Sequence, residues 1–255
     1  MYQNKITYQY IIFDLVGVLL TVDTFQLLRN IGLLDSLWYM VTHFKNPINS
    51  SFRLLDQMAH SQENEYVAIT YKNYLLPECI SQWHMGQRTS KQVGNEISAY
   101  IKQLDREHYF KSKLEKKLIE KIIHVIHDTQ QIADNTKPIW PSITLLKRLK
   151  REHKYKLFLL SNIDKETSAL LQKKYGEIFS YFDKIVFSCE ANLLKPSHKI
   201  YQFALEKFKI DPQKSVYIDD QPENIIAADK LGIRGVLFKS PAQAKKELKK
   251  IGILS

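Results

Sequence analysis

The stretch from Tyr10 to Leu20, YIIFDLVGVLL, constrains the fold of this chain more than any other. It begins with a short apolar run that ends in one acid, Asp14, and it continues with Gly17 and further apolar residues. A continuous apolar run of this kind is typical of a buried strand in a parallel sheet. Open α/β sheets bind ligands outside the carboxyl ends of their strands. We therefore expect Asp14 to present its carboxylate from a strand end to a crevice.

The pattern of apolar residues changes after Leu20. From about Thr24 to Asp134, apolar residues recur three and four positions apart, which is the spacing of amphipathic helices, and strand-like runs are almost absent. Predicted helices cover Thr24–Leu34, Ser51–His60, Glu65–Leu75, Ser90–Leu104 and Leu114–Ile132. We therefore predict that residues 21–137 form an inserted, all-helical cap domain.

From Pro138 onward, helical and strand-like segments alternate, and this alternation predicts βαβ units and a parallel sheet. Predicted strands cover Lys156–Leu160, Lys184–Ser188, Val216–Ile218 and Gly235–Phe238. Predicted helices cover Ser142–Glu152, Lys165–Tyr175, Ser197–Phe208, Pro222–Leu231 and Ala242–Ile251. The strand before Asp14 belongs to the same sheet. We predict an α/β fold in which residues 1–20 and 138–255 form a Rossmann-like core, a parallel sheet with helices on both faces.

Polar residues of a particular kind follow the strands of this predicted core. They are Asp14, Ser161-Asn162, Lys195 just before a helix, and Asp219-Asp220. Carboxylate oxygens suit Mg²⁺, which usually sits beside phosphate. A lysine and a hydroxyl at helix N-termini suit phosphate oxygens, and a carboxylate can act as a nucleophile towards phosphorus. Each segment alone has an ordinary explanation, such as a helix cap or a surface loop, but their combination favours a metal and phosphate site.

In these four segments the chain resembles the haloacid dehalogenase-like hydrolases, in particular subfamily I, whose helical C1 cap is inserted just after the first motif. The resemblance covers residues 8–20 and about 138–238, whereas the cap matches only in its position and helical character. The motifs are Phe13-Asp14-Leu15-Val16-Gly17-Val18-Leu19, Leu160-Ser161-Asn162, Leu194-Lys195-Pro196-Ser197-His198-Lys199-Ile200-Tyr201 and Tyr217-Ile218-Asp219-Asp220-Gln221-Pro222-Glu223-Asn224-Ile225.

The resemblance implies a Mg²⁺-dependent phosphatase that acts through an aspartyl-phosphate intermediate. Asp14 would attack phosphorus and, with the main-chain carbonyl of Val16 and with Asp220, would hold Mg²⁺. The substrate would be a phosphorylated small molecule or a phosphoprotein.

The resemblance also implies which residues would bind the phosphoryl group and support the metal site. Ser161, the main chain of Asn162 and Lys195 would bind the phosphoryl oxygens. Asp219 would lie behind the metal ligands or act through water, and Asn224 would help to hold that loop.

Val16 departs from the family pattern. Most phosphatases of the family have a second aspartate there, which protonates the leaving group and then activates water. Valine cannot transfer a proton, and such help is typically worth ~10²–10⁴-fold in rate. Some members with a similar Phe-Asp-Leu start and glycine at this position are expected to function without it; otherwise the chain has lost catalysis and only binds. If activity survives, it should favour aryl or anomeric phosphates, because charge builds on the leaving oxygen.

Two other functions stay open at this stage. The first is a non-catalytic binding or regulatory protein on the same scaffold. The second is a 2-haloacid dehalogenase, whose relatives also lack the second aspartate but usually have tyrosine there and need no metal. Chelation of divalent metal separates a phosphatase from a dehalogenase.

Composition narrows the choice of partners. The net charge of +10 can attract phosphorylated substrates, anionic membranes or nucleic acid. The lysine clusters at Lys111–Lys121 and Lys245–Lys250 lack interleaved aromatics, which does not favour a nucleic-acid groove. No apolar run approaches the ~18 residues of a membrane span. With only Cys79 and Cys189, we expect a reducing compartment and a cytoplasmic location.

Overall fold

The computed structural model describes residues 7–43, 45–61, 69–71, 73–152 and 154–254. Contacts divide the chain into two compact units. The first unit contains Met1–Thr21, Lys137–Ile163 and Leu171–Ser255, and the second contains Val22–Thr136 with Asp164–Leu170. No helix among the described residues is both long enough and apolar enough to cross a membrane.

The strands, in chain order, are β1 (Tyr10–Phe13), β2 (Leu20–Val22), β3 (Thr70–Tyr71), β4 (Tyr74–Leu75), β5 (Thr136–Pro138), β6 (Lys156–Ser161), β7 (Lys184–Phe187), β8 (Ser215–Asp219) and β9 (Arg234–Leu237). The helices are α1 (Thr24–His43), α2 (Pro47–His60), α3 (Glu78–His84), α4 (Ser90–Arg106), α5 (Lys113–His127), α6 (Thr129–Asn135), α7 (Trp140–Arg151), α8 (Lys165–Lys174), α9 (Gly176–Phe179), α10 (Ser188–Ala191), α11 (His198–Phe208), α12 (Pro222–Asp229) and α13 (Pro241–Lys250).

The first unit is built on a five-stranded sheet in the order β7-β6-β1-β8-β9. Every neighbouring pair in it is parallel, so the predicted α/β fold is confirmed. Residues Ile11, Ile12 and Phe13 of the central strand β1 are buried, because a parallel sheet is covered on both faces. On one face, Ile12 packs in a cluster with Tyr201 of α11 and Ala227 of α12.

Among the described residues, the regular structure of the second unit is helical apart from the hairpin β3–β4 and the strand residues Val22 of β2 and Thr136 of β5. Its main core holds buried residues from α2, α3, α4 and α5, including Leu54, Trp83, Ile97 and Ile119. Helix α4 begins with a capping box in which Thr89 and Gln92 each bond the other's backbone, as the sequence suggests for this position.

Three predictions in the insertion need correction. The predicted helix Glu65–Leu75 is wrong over its last part, where β3 and β4 pair antiparallel and Asn73 turns the chain with a positive φ of 72°; residues 65–68 lie outside the described residues. Helix α1 continues to His43 through a kink at Gly32. The predicted helix Leu114–Ile132 is divided at Asp128, whose side chain accepts from the backbone of Gln131 and starts α6.

Candidate active site at the carboxyl edge of the sheet

The register of the central strands brings the predicted acids together. Phe13 pairs with Ile218 of β8 on one side and with Leu159 of β6 on the other. Asp14 and Asp219 each come one residue later, so they lie side by side at the carboxyl edge. The backbone N–H of Asp14 extends this pairing by donating to the carbonyl of Ile218 at 2.9 Å.

The buried ammonium group of Lys195 lies between these two carboxylates. Its Nζ is 2.8 Å from Oδ1 of Asp14 and 2.8 Å from Oδ2 of Asp219. It also lies 2.9 Å from the hydroxyl of Tyr217 and 3.3 Å from the carbonyl of Leu160. Burial acts to lower the pKa of Lys195, but the two carboxylates outweigh it and raise that pKa above its ordinary value. Lys195 is therefore charged.

The segment that carries Lys195 is fixed by the side chain of Asn162. The Asn162 amide donates to the carbonyl of Lys195 and accepts from its N–H, both at 2.9 Å. The peptide bond between Lys195 and Pro196 is cis. Ser161, at the buried end of β6, immediately precedes Asn162. The second and third predicted motifs are thus joined by direct hydrogen bonds.

Asp219 is surrounded by donors. Asn224 donates to both of its carboxylate oxygens at 3.0 Å, and the backbone N–H of Gln221 donates to Oδ1 at 2.8 Å. The hydroxyl of Tyr217 donates to Oδ2, the oxygen that Lys195 also contacts. Burial acts to raise the pKa of Asp219, but Lys195 and these hydrogen bonds lower it below its ordinary value.

Asp14 has the opposite shift although it shares the same lysine. Burial raises its pKa to about 7, against the effect of Lys195, and the charges of Asp219 and Asp220 act in the same direction as burial. The pKa shifts of Asp14 and Asp219 differ because their hydrogen-bond donors differ. Among the described residues, Lys195 is the one side chain that donates to Asp14, so no other described side chain uses the lone pairs of Asp14.

The structure places Asp220 close to both other acids. Carboxylate oxygens of Asp14, Asp219 and Asp220 all lie within 4.8 Å of one another. Burial and the charge of Asp219 raise the pKa of Asp220. Three carboxylates around one ammonium leave an excess of negative charge, and hard divalent cations prefer such oxygen donors. The donor set therefore fits Mg²⁺, and Asp14 and Asp220 have more free coordinating capacity than Asp219.

The loop after β1 is shaped to admit Asp220. Gly17 has a φ of +98°, and a Cβ at this position would lie 2.5 Å from Cγ of Asp220. Glycine is therefore needed for both the backbone conformation and the space. The neighbouring side chain of Val16 is 39% exposed. It carries no acid, so the site has no proton donor at the position that Val16 occupies.

Tyr217, which has no predicted role, bridges Lys195 and Asp219. The available signal was its spacing, because residues two apart on a strand share a face and Tyr217 precedes Asp219 by two. Burial and the charge of Asp219 raise the pKa of Tyr217 well above its ordinary value, so its hydroxyl keeps its proton. Tyr201 packs edge-on against Tyr217, with ring centroids 5.7 Å apart.

Comparison with known families agrees with this arrangement. The sequence pattern of the haloacid dehalogenase-like hydrolases matches residues 8–232, which is most of the chain. This chain belongs to the haloacid dehalogenase-like hydrolases. The site lies in the first compact unit, and the match extends through the residues inserted between β1 and β6.

Curated relatives of this hydrolase match it over shorter stretches. Bifunctional epoxide hydrolase 2 of Rattus norvegicus is 31% identical over 88 residues, which are 34% of this chain and 16% of the rat protein. Flavin mononucleotide hydrolase 1 of Arabidopsis thaliana is 27% identical over 77 residues, which are 30% of this chain and 31% of that protein. The chain thus spans only a small part of the length of these relatives.

Solved structures share the fold of this hydrolase. A haloacid dehalogenase family enzyme of Bacteroides thetaiotaomicron, in complex with magnesium and inorganic phosphate, matches with a TM-score of 0.55 at 20% identity, covering 91% of this chain and 94% of that one. YfnB of Bacillus subtilis, a HAD-hydrolase bound to magnesium, matches with a TM-score of 0.56 at 13% identity, covering 97% of this chain and 100% of that one.

Proposed function

We propose that this hydrolase is a Mg²⁺-dependent phosphomonoesterase in which Asp14 is the nucleophile. The observation that carries the proposal is the carboxylate of Asp14 at the end of the central strand, 2.8 Å from the ammonium of Lys195 and close to Asp220. A nucleophilic carboxylate must be ionised, and burial opposes ionisation. Lys195 and a bound cation both favour the ionised form, so the site supplies what this chemistry needs.

In the proposed first step, a carboxylate oxygen of Asp14 forms a bond to phosphorus. The bond between phosphorus and the leaving oxygen breaks, and that oxygen departs with the electron pair. In the second step, water attacks phosphorus, the bond between phosphorus and Asp14 breaks, and inorganic phosphate leaves. The leaving oxygen takes a proton from solvent, and the attacking water gives one up to phosphate or solvent. Each turnover therefore consumes one water and yields one alcohol or phenol, while Asp14 is regenerated.

The remaining motif residues have proposed roles around this nucleophile. Bound Mg²⁺ would supply positive charge that offsets the charge of the phosphoryl oxygens. The residues proposed to hold it are Asp14, Asp220 and the main-chain carbonyl of Val16. Ser161, the main chain of Asn162 and Lys195 are proposed to bind phosphoryl oxygens. Asp219 is proposed to hold Lys195, and Asn224 to hold the loop of Asp219.

The comparisons support the substrate class without naming a substrate. The structural neighbour from Bacteroides thetaiotaomicron holds magnesium with inorganic phosphate, and one relative is named for hydrolysis of flavin mononucleotide, which is a phosphomonoester. We propose a phosphorylated small molecule or a phosphoprotein as the substrate of this chain.

The test is phosphate release from a panel of phosphomonoesters by the wild type with Mg²⁺, by the wild type with excess EDTA, and by Asp14→Asn. We expect release only in the first case. Phosphate release from none of the esters contradicts the proposal. Metal-independent halide release from a 2-haloacid would instead support a dehalogenase.

The valine at position 16 predicts that the enzyme hydrolyses aryl phosphates faster than alkyl phosphates. Because no acid at position 16 can protonate the leaving oxygen, an ester with a phenolic leaving group, of pKa ~10, should react faster than an alkyl ester. We expect kcat/KM for phosphotyrosine to exceed that for flavin mononucleotide by at least ~10-fold.

Val16→Asp is the matched variant for this preference. The half-exposed side chain of Val16 leaves room for a carboxyl group, and we expect the variant to raise kcat/KM for the alkyl ester ~10²-fold while changing the aryl ester little. Equal rates for both esters in the wild type would show that the preference is wrong.

A further inference from the structure

Tyr217 is the first residue of the fourth motif, but the proposed function gives its hydroxyl no role. It lies in the fully buried space between Lys195 and Asp219, 2.9 Å from Nζ of Lys195, and its proton is directed at Oδ2 of Asp219. The hydroxyl can accept from an ammonium and donate to a carboxylate at the same time. Tyr217 therefore uses both of its hydrogen-bonding capacities on the one cation and one anion that accompany Asp14.

The contacts of Lys195 show why this hydroxyl matters. An ammonium has three N–H bonds, and oxygens of Asp14, Asp219 and Tyr217 lie 2.8 to 2.9 Å from Nζ. The carbonyl of Leu160 is more distant, at 3.3 Å. The hydroxyl of Tyr217 and Oδ2 of Asp219 are also hydrogen-bonded to each other, so both lie on the same side of Nζ and compete for its N–H bonds.

The contacts of Asp219 also indicate that the hydroxyl of Tyr217 affects the position of Lys195. Its Oδ2 is the oxygen that Lys195 contacts, and Tyr217 donates to that same atom. The hydroxyl therefore uses part of the hydrogen-bonding capacity of Oδ2 and reduces the attraction of Asp219 for the ammonium. Without it, Asp219 would attract Lys195 more strongly, at the expense of the contact with Asp14.

We propose that Tyr217 is a positioning residue, whose hydroxyl keeps the ammonium of Lys195 shared between Asp219 and the nucleophile Asp14. This inference rests on the proposed function, because it assigns Asp14 as the nucleophile. It predicts that Tyr217→Phe, which keeps the ring and removes only the hydroxyl, shifts Lys195 towards Asp219 and leaves Asp14 without its cation.

Tyr201→Phe is the matched control. Tyr201 is equally buried, packs against Tyr217 and interacts with its hydroxyl, but it donates to the backbone carbonyl of Asn224 at 3.1 Å and does not contact Lys195. Both variants remove one buried tyrosine hydroxyl and keep the ring. They differ in whether the lost hydroxyl contacts Lys195.

The experiment compares the wild type and both variants by steady-state kinetics on phosphotyrosine with Mg²⁺ and by crystal structures at high resolution. We expect Tyr217→Phe to lower kcat ~10- to 100-fold, the usual range for supporting residues behind a site, with KM within about threefold. We also expect the distance from Nζ of Lys195 to Asp14 to exceed hydrogen-bonding range in that variant. Tyr201→Phe should keep the kcat and the distance of the wild type.

The proposal is overturned if Tyr217→Phe matches Tyr201→Phe in kcat, or if Nζ of Lys195 stays within hydrogen-bonding distance of Asp14. A wild type that hydrolyses no phosphomonoester overturns the proposed function instead. The crystal structures then still decide whether Tyr217 positions Lys195, because that distance does not depend on activity.

Discussion

Asp14 and Asp219 both contact Lys195, but their carboxyl groups differ in how readily they ionise. Asp219 receives hydrogen bonds from Asn224, Tyr217 and Lys195, whereas the charge of Asp14 is offset by Lys195 alone among the described side chains. The pKa of Asp219 is lowered and that of Asp14 is raised to about 7. The position of both acids was predictable from the order of the motifs, but their contrast was not, because it depends on donors distant in sequence.

This contrast predicts opposite stability effects for one substitution. An acid with a raised folded-state pKa destabilises the protein increasingly as pH rises from its unfolded pKa to its folded pKa, here from about 4 to about 7. Asp14→Asn should therefore raise the free energy of unfolding, by ~1–4 kcal/mol, more at pH 8 than at pH 4.5. Urea denaturation of metal-free protein in EDTA measures this.

Asp219→Asn should do the reverse. An acid with a lowered folded-state pKa contributes stability that is present above its unfolded pKa and is lost as pH falls through the folded pKa. An asparagine cannot accept from all the donors that surround this carboxylate, so we expect a loss of ~2–5 kcal/mol at pH 8. Equal signs for the two substitutions at pH 8 would contradict the donor argument.

At the scale of elements, buried strands were the most predictable part of the fold. The strands of the parallel sheet are buried on both faces and therefore appear as continuous apolar runs. The hairpin β3–β4 was missed because strands of two residues show no alternation. Helix α1 was predicted too short because Leu34, Trp38 and Val41 are exposed, so its apolar residues do not mark a single buried face.

The connection between β6 and the segment before α11 depends on one side chain. Asn162 supplies both the donor and the acceptor for the backbone of Lys195. Asn162→Ala leaves two part-buried backbone groups without that partner, and we expect a loss of ~2–4 kcal/mol in the free energy of unfolding, measured by urea denaturation. Asn162→Asp keeps the acceptor and removes the donor, so its free energy of unfolding should also fall below that of the wild type. A wild-type denaturation midpoint for Asn162→Ala would show that the connection is not needed.

The net positive charge of the molecule is distributed unevenly along the chain. Residues 22–136 contain as many lysines and arginines as aspartates and glutamates. The net charge of +10 therefore belongs to residues 1–21 and 137–255, which also contain every residue of the candidate site. A positive field on this part of the chain suits an anionic substrate.

This charge distribution predicts a salt effect on turnover. The attraction of a phosphate dianion is screened as the Debye length falls from ~10 Å at 0.1 M to ~3 Å at 1 M salt. We expect kcat/KM for a phosphomonoester to fall severalfold between 0.05 and 0.5 M NaCl, while kcat at saturation changes little. An unchanged kcat/KM would indicate that the field does not reach the substrate.

The amide of Asp14 donates to β8, and β1, which it follows directly, is the middle strand of the five. A residue so placed cannot be released by fraying at a sheet edge. To free β1, the chain must separate its pairing with β6 and its pairing with β8. The proposed nucleophile is thus tied to the most persistent part of the fold, and partial opening elsewhere would leave its position intact.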